Sequence, residues 1–240
     1  MAEAVHGKVV ALEQARQLIE IDEDIPLTDL EQVIPYSQAR DILVRNPKKI
    51  VVMDCPCRAA RGRDGCKPLD VCLIVGDPFA SRFARAQPHH ARWIGAGEAI
   101  AILEAEHRRG HVHHAFFKDA TLGRFYAICN CCGCCCGPME YFATGTPMLA
   151  SSGYAAQVDP QLCDGCGACA RFCQFSAIEV PDGRAVVDVA RCMGCAVCES
   201  RCAPTAIAMA RQESRGVPLD IGEYVARGSG TSGLPARVCR

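Results

Sequence analysis

No run of about 18 apolar residues interrupts this sequence, so a membrane-spanning helix is not expected. Neither an apolar signal stretch nor a twin-arginine leader opens it, and the expectation is a cytoplasmic protein in a reducing compartment. Charge of one sign is lacking too. Twenty-six Lys and Arg stand against 27 Asp and Glu, a formal net charge of −1, and nothing points to nucleic acid. Nucleotide signatures are missing as well. Gly95-x-Gly97 follows Trp93-Ile94 rather than a clear strand and has no third glycine, so no nicotinamide or flavin site is assigned. There is no P-loop, serine-nucleophile elbow or zinc-protease motif. Half of the residues are hydrophobic, enough for a real core in one large or two modest domains.

What the chain has is cysteine, nineteen in 240 residues. Eight of them write C-x-x-C-x-x-C-x-x-x-C twice: Cys163, Cys166, Cys169, Cys173 and Cys192, Cys195, Cys198, Cys202. The runs sit in a longer repeat offset by 29 residues, in which Val158-Asp159 recurs as Val187-Asp188 and Ala177-Ile178 as Ala206-Ile207. Two-residue gaps let a short loop bring three sulfurs to three corners of an iron–sulfur cube, and the fourth ligand must come from elsewhere. Small residues between the ligands (Gly165, Gly167, Ala168, Gly194, Ala196) leave backbone N–H groups free to face the sulfurs. Residues 158–210 resemble the bacterial dicluster ferredoxins. In that motif the fourth cysteine of each run crosses to the other cluster. The resemblance therefore implies one [4Fe–4S] cube on Cys163, Cys166, Cys169 and Cys202, and another on Cys192, Cys195, Cys198 and Cys173. The family's proline after the fourth cysteine is replaced by Gln174 and Ala203, with Pro204 one place late. Paired zinc sites or a disulfide framework are the alternatives. Zinc more often uses separated C-x-x-C pairs, and disulfides suit secreted chains.

Ten further cysteines precede the repeat: Cys55, Cys57, Cys66, Cys72, then Cys129, Cys131, Cys132, Cys134, Cys135, Cys136. Ile50 to Met53, bounded by Pro47 and Pro56, reads as a buried strand before the first group. Arg58, Arg61, Arg63 and Lys67 in the following loop would stabilise a net-negative cluster, or simply form a solvated loop. Tyr36–Arg45 carries helical spacing, as does Ala96–Arg109 with Gly110 as its stop. Val112–Phe117 and Phe125–Ile128 read as strands joined by a turn near Thr121–Gly123, so both cysteine groups hang from strand ends. Cys55, Cys57, Cys66 and Cys72 could complete one cube and four of the second group another, and a mixed arrangement is equally open. Neighbouring cysteines on extended backbone point to opposite sides. Cys134, Cys135 and Cys136 are therefore not expected all to face one cluster, and the stretch either holds a spare thiol or bridges two centres.

At the helix Pro35–Arg40, Cys55-Pro56-Cys57-Arg58, Gly110-His111-Val112-His113 and Ile128-Cys129-Asn130-Cys131 leading to Cys134-Cys135-Cys136, the chain is similar to 4Fe–4S dicluster proteins with an additional N-terminal cysteine domain. That resemblance spans about residues 33–210. It implies electron transfer beside larger, often anaerobic, redox enzymes, with Cys55, Cys57, Cys66, Cys72, Cys129, Cys131, Cys134, Cys135 and Cys136 as ligand candidates for one or two more clusters. Cys131-Cys132-Gly133 also resembles the Cys-Cys-Gly signature of heterodisulfide-reductase-like subunits, without their long-range spacing. A catalytic N-terminal cluster that reduces a disulfide or small molecule, or zinc held for storage or structure, are the competing readings. His89, His90, His107, His111, His113 and His114 are packing residues or candidates for iron ligation and proton delivery. His113 is the one to test.

The architecture expected is α+β. Residues 1–150 form an α/β cysteine-rich metal domain with a small sheet, 151–210 a dicluster ferredoxin-like domain, and 211–240 a flexible or partner-docked tail with an isolated Cys239. The function expected is electron transfer as a subunit or partner of a larger oxidoreductase.

Overall fold

The computed structural model describes residues 5–22, 25–27, 42–118 and 125–221. Twelve strands and seven α-helices lie in these residues. Strand β1 (Val5–Val10) leads into α1 (Leu12–Glu20), followed by β2 (Ile25–Leu27) and the long β3 (Ile42–Asp54). Then come α2 (Pro56–Ala60), β4 (Asp70–Asp77), α3 (Phe79–Ala86), β5 (Ala91–Ile94) and α4 (Ala96–Arg108). Strands β6 (Val112–Lys118) and β7 (Phe125–Cys131), helix α5 (Gly137–Ala143) and strand β8 (Leu149–Ala150) complete the first unit.

These strands form one eight-stranded sheet, ordered β2-β3-β4-β7-β6-β1-β8, with β5 also paired to β3. All pairings are antiparallel except β1 with β8. Central strand β4 is buried along Val71–Gly76. An antiparallel strand normally alternates buried and exposed residues, and a continuous buried run means that both faces of the sheet are covered. On one face α1 and α4 supply Leu18, Ile19, Ala99 and Leu103 against Ile50, Val52, Leu73, Ala115 and Ile128. On the other face Val51, Ile74, Val112, Phe116 and Ala127 meet α5 and the second unit, through Met139, Met193 and Val197.

That second unit pairs β9 (Tyr154–Val158) with β12 (Ile207–Arg211), and β10 (Ile178–Glu179) with β11 (Val186–Val187). Helices α6 (Ala168–Phe172) and α7 (Val197–Ser200) carry the last cysteines of the two runs near their ends. The repeat extends to the backbone. Gly165 and Gly194 have φ of 69° and 66°, Gly167 and Ala196 72° and 62°, Ser176 and Thr205 49° and 54°. Left-handed backbone at matching offsets turns each loop inward with the same curl.

Five expectations are corrected. Residues 42–45, placed in the helix Tyr36–Arg45, are strand, and the rest of that segment lies outside the described residues. Pro47 does not bound the strand, because a register shift between Arg45 and Ile50 absorbs the missing N–H. Trp93-Ile94 does belong to a strand, β5, leading into the Gly95 N-cap of α4. The sheet is not small. Strand β7 also runs past Ile128 to Cys131, so Cys129 and Cys131 lie in the strand rather than beyond it, as does Cys72 in β4.

Of the segment 211–240, expected to be a tail, the described residues 211–221 contribute to the core. Leu219 and Ile221 are buried in the cluster that contains α1, and the Ile221 N–H donates to Gln17 Oε1 at 3.2 Å. Two buried aliphatic side chains give residues 211–221 apolar surface to bury, and this fixes them against α1. The turn at Thr121–Gly123 and Cys239 lie outside the described residues.

Candidate metal centres

All eighteen described cysteines are free thiols. In the second unit, Cys163, Cys166, Cys169 and Cys202 line one small cavity. Cys173 lies instead with Cys192, Cys195 and Cys198, and burial, then like-charge repulsion that includes Cys173, pushes the Cys195 and Cys198 thiols up. Backbone N–H groups point at sulfur: Ala177 to Cys173 Sγ at 3.3 Å, Ala206 to Cys202 Sγ at 3.2 Å and Ala185 to Cys163 Sγ at 3.4 Å. The first two are equivalent positions of the repeat. Four thiols with amide donors turned toward them suit an anionic iron–sulfur cluster.

The first unit sorts its ten thiols into two sets. Cys55, Cys57, Cys136, Cys131, Cys129 and Cys72 form a closed ring in which each thiol interacts with the next. Together with Cys132 and Cys135 they border a cavity of about 310 Å³ whose apolar wall includes Phe116, Tyr126 and Met148. Strand geometry explains the grouping. Cys129 and Cys131 are two apart on β7 and so share a face, opposite His114 and Val112 of β6. Cys55 and Cys57 flank Pro56 at the start of α2, and the extended Cys55 N-cap carries the chain from β3 into the cavity wall. Hydrogen bonds within the ring favour thiolate at two places. Cys57 is pulled down chiefly by Cys136 and then Cys55, and Cys129 chiefly by Cys131 and then Cys72.

The other four, Cys66, Cys132, Cys134 and Cys135, have sulfurs all within 4.8 Å of one another. Cys132 was not among the expected ligands. Its signal was the same alternation that pairs Cys129 with Cys131, since it falls on the opposite side from both. Cys134 and Cys135 face one set although adjacent, because the chain turns at Gly133–Cys135 and the Cys136 N–H closes onto the Cys132 carbonyl at 3.1 Å. Cys136 returns to the ring. The loop Cys131–Cys136 therefore has its two ends in the ring and its middle in the tetrad.

Behind the ring lies a buried polar network. Arg58, only 1% exposed, pairs with Glu106, which is 0% exposed. Its Nη1 donates to the Pro68 carbonyl at 2.7 Å and its Nη2 to the Asn130 carbonyl at 3.0 Å. Burial works against the Glu106 carboxylate, but His111 and Arg58 outweigh it and hold its pKa below the ordinary value. Arg58 is thus a structural cation beneath the thiols. Arg61, Arg63 and Lys67 of the same loop are solvent-exposed.

His113 Nδ1 lies 2.6 Å from Asn130 Oδ1, and its ring stacks on His107 at 5.5 Å. Among the described residues, neither nitrogen of His114 has a partner, nor does His113 Nε2. Both imidazoles are buried and neutral. Burial lowers the His113 pKa to about 4 and that of His114 to about 3. An unfolded chain takes up these protons near pH 6.5, the folded one only far below it. Stability from the neutral rings is therefore complete above pH 6.5 and is lost as the pH falls toward 4, each ring contributing up to about 1.4 kcal/mol per pH unit. The rate at which visible absorption bleaches in urea under argon should rise less between pH 7.5 and 5.5 in His114→Phe than in the wild type, and equal rises would refute the assignment.

The two units are joined beside these sites. The Gly133 N–H donates to Gln174 Oε1 at 2.9 Å, and Gln174 Nε2 donates to the Gly110 carbonyl at 3.0 Å. Phe172 packs against Gly110, where φ is +85° and a Cβ would stand 2.6 Å from the ring. Ser152 Oγ donates to the Gly194 carbonyl at 2.7 Å.

The family model of the 4Fe-4S binding domain matches residues 156–179, across the whole first cysteine run. No curated protein matches the chain. The chain thus carries a 4Fe–4S binding domain within a mixed helix and strand fold, and none of its described helices is long and apolar enough to cross a membrane.

Proposed function

We propose that this protein transfers electrons, using two [4Fe–4S] cubes in the second unit and a further cluster held by the six-thiol ring in the cavity of the first. Cys163, Cys166, Cys169 and Cys202 hold one cube, and Cys192, Cys195, Cys198 and Cys173 the other. The clusters supply one-electron redox chemistry, and the chain tunes it by burial, amide hydrogen bonds and charge. The protein works as a subunit or dedicated partner of a larger oxidoreductase in the reducing cytoplasm.

One observation carries this reading. Met193, Cys195 and Val197 of the second run share an apolar cluster with Cys131 and Cys136 of the thiol ring. Cys166 of the first run is exposed. The three sites therefore succeed one another from the cavity, through the buried second run, to a surface where a redox partner can dock. Anaerobically purified protein should contain iron and labile sulfide beyond the roughly eight of each that two cubes account for. Rapid reduction from the surface should fill all clusters in the wild type. Cys195→Ser should leave the outer cube reducible and slow the cavity cluster, and unchanged reduction of the cavity cluster would sink the order proposed.

The cavity also favours a second reading. Its volume of about 310 Å³ lies at the lower end of small-molecule sites, and the six thiols of the ring are two more than a cube requires. Reduction of a disulfide or small organic substrate at that cluster would show as an iron with an open coordination position, visible by Mössbauer spectroscopy as a site that shifts on substrate addition.

A further inference from the structure

The geometry points to a fourth centre of a different kind: Cys66, Cys132, Cys134 and Cys135 bind one tetrahedral divalent metal ion, with no bridging sulfide. The argument rests on sulfur spacing. Cys134 Sγ lies 3.3 Å from Cys66 Sγ, 3.3 Å from Cys132 Sγ and 3.7 Å from Cys135 Sγ, and Cys132 Sγ lies 3.7 Å from Cys66 Sγ. Four thiolates sharing one ion at a metal–sulfur distance of about 2.3 Å are separated by about 3.8 Å. A cube binds each thiolate to a different iron, so its cysteine sulfurs stand a metal–metal edge further apart. Here all four lie within 4.8 Å. The Cys66 N–H donates to Cys135 Sγ at 3.3 Å, the amide support that a buried thiolate needs.

The placement gives the ion a role. Cys66 comes from the loop between α2 and β4, and the other three from the turn after β7, so the ion ties together two loops that sequence separates by 66 residues. Cys131 and Cys136, at the two ends of that turn, belong to the thiol ring. Fixing the middle of the turn therefore aims both into the cavity. Gly133, within the tetrad loop, holds Gln174, the residue after Cys173. The ion thus fastens one wall of the cavity and the docking edge of the second unit at once. Zinc would do this without redox chemistry, and iron would add a one-electron site at the same place. Both are soft enough for four thiolates.

The test uses the full-length protein purified without oxygen, with zinc, iron and labile sulfide counted per chain in the wild type and in Cys66→Ser/Cys134→Ser. The expected result is loss of one metal ion and no sulfide, with the cavity cluster kept through purification and bleached faster by a chelator than in the wild type. Loss of iron and sulfide in equal numbers would show a cluster instead, and an unchanged metal count would show no site; either overturns the proposal. Should the variant fail to fold, the wild type decides. Zinc absorption spectroscopy showing four sulfur neighbours, or a Mössbauer doublet of an isolated iron with four thiolates, supports it. Absence of both overturns it. The ferredoxin cubes give their own signals in every arm, so failure here leaves the electron-transfer reading standing.

Discussion

Arg58→Met is expected to destabilise the protein by about 3–5 kcal/mol, because it strands a carboxylate in the interior. Glu106 is 0% exposed, and without Arg58 its charge is met only by His111, 2.6 Å away, and by the half-exposed Arg109 at 2.7 Å. The Pro68 and Asn130 carbonyls lose donors at the same time. The same substitution at Arg61, whose partner Glu140 is exposed, should cost no more than about 1 kcal/mol. Since cluster loss makes unfolding irreversible, the readout is the rate at which visible absorption bleaches in urea under argon. Arg58→Met/Glu106→Gln should bleach more slowly than Arg58→Met alone, because the stranded charge is gone. A single variant as durable as the wild type would show that the pair contributes nothing.

Gly194→Ala is expected to abolish the second cube while sparing the first. A Cβ at Gly194 would stand 2.1 Å from Ser152 Oγ and 2.3 Å from the Tyr154 carbonyl oxygen. The hydroxyl can rotate away, but the carbonyl belongs to strand β9, so the loop bearing Cys192, Cys195 and Cys198 must move. Gly167→Ala is the control. Its φ is +72° with nothing within 4 Å, and its repeat partner is already Ala196 at φ 62°. That variant should lose only the left-handed penalty of about 1–2 kcal/mol and keep both cubes. EPR of the reduced proteins separates the outcomes, and a Gly194→Ala protein with two intact cubes would contradict the close contact.

Where reasoning from sequence succeeded and where it failed follows the distance over which the information acts. Helix α4 was legible because Ala99 and Leu103 repeat at helical spacing and Gly110 ends the run. Strands β6 and β7 were legible through their apolar and aromatic content. The helix drawn over Tyr36–Arg45 failed in its last four residues, because pairing with β2 and β4 decides their conformation. Arg58 could not be told from its exposed neighbours Arg61 and Arg63. Its burial depends on Glu106, 48 residues away on α4.

The cysteines divide in the same way. By itself the sequence determined the paired runs and their 29-residue repeat, since each run's first three cysteines lie on one short loop whose curl the small residues and left-handed positions permit. It also determined that ten more thiols needed a use. Only the tertiary structure decided how those ten divide into six and four. That division is set by the sheet, which brings the loop after β3 beside the end of β7, and by a turn at Gly133 that breaks strand alternation at the point where the chain passes from one set to the other.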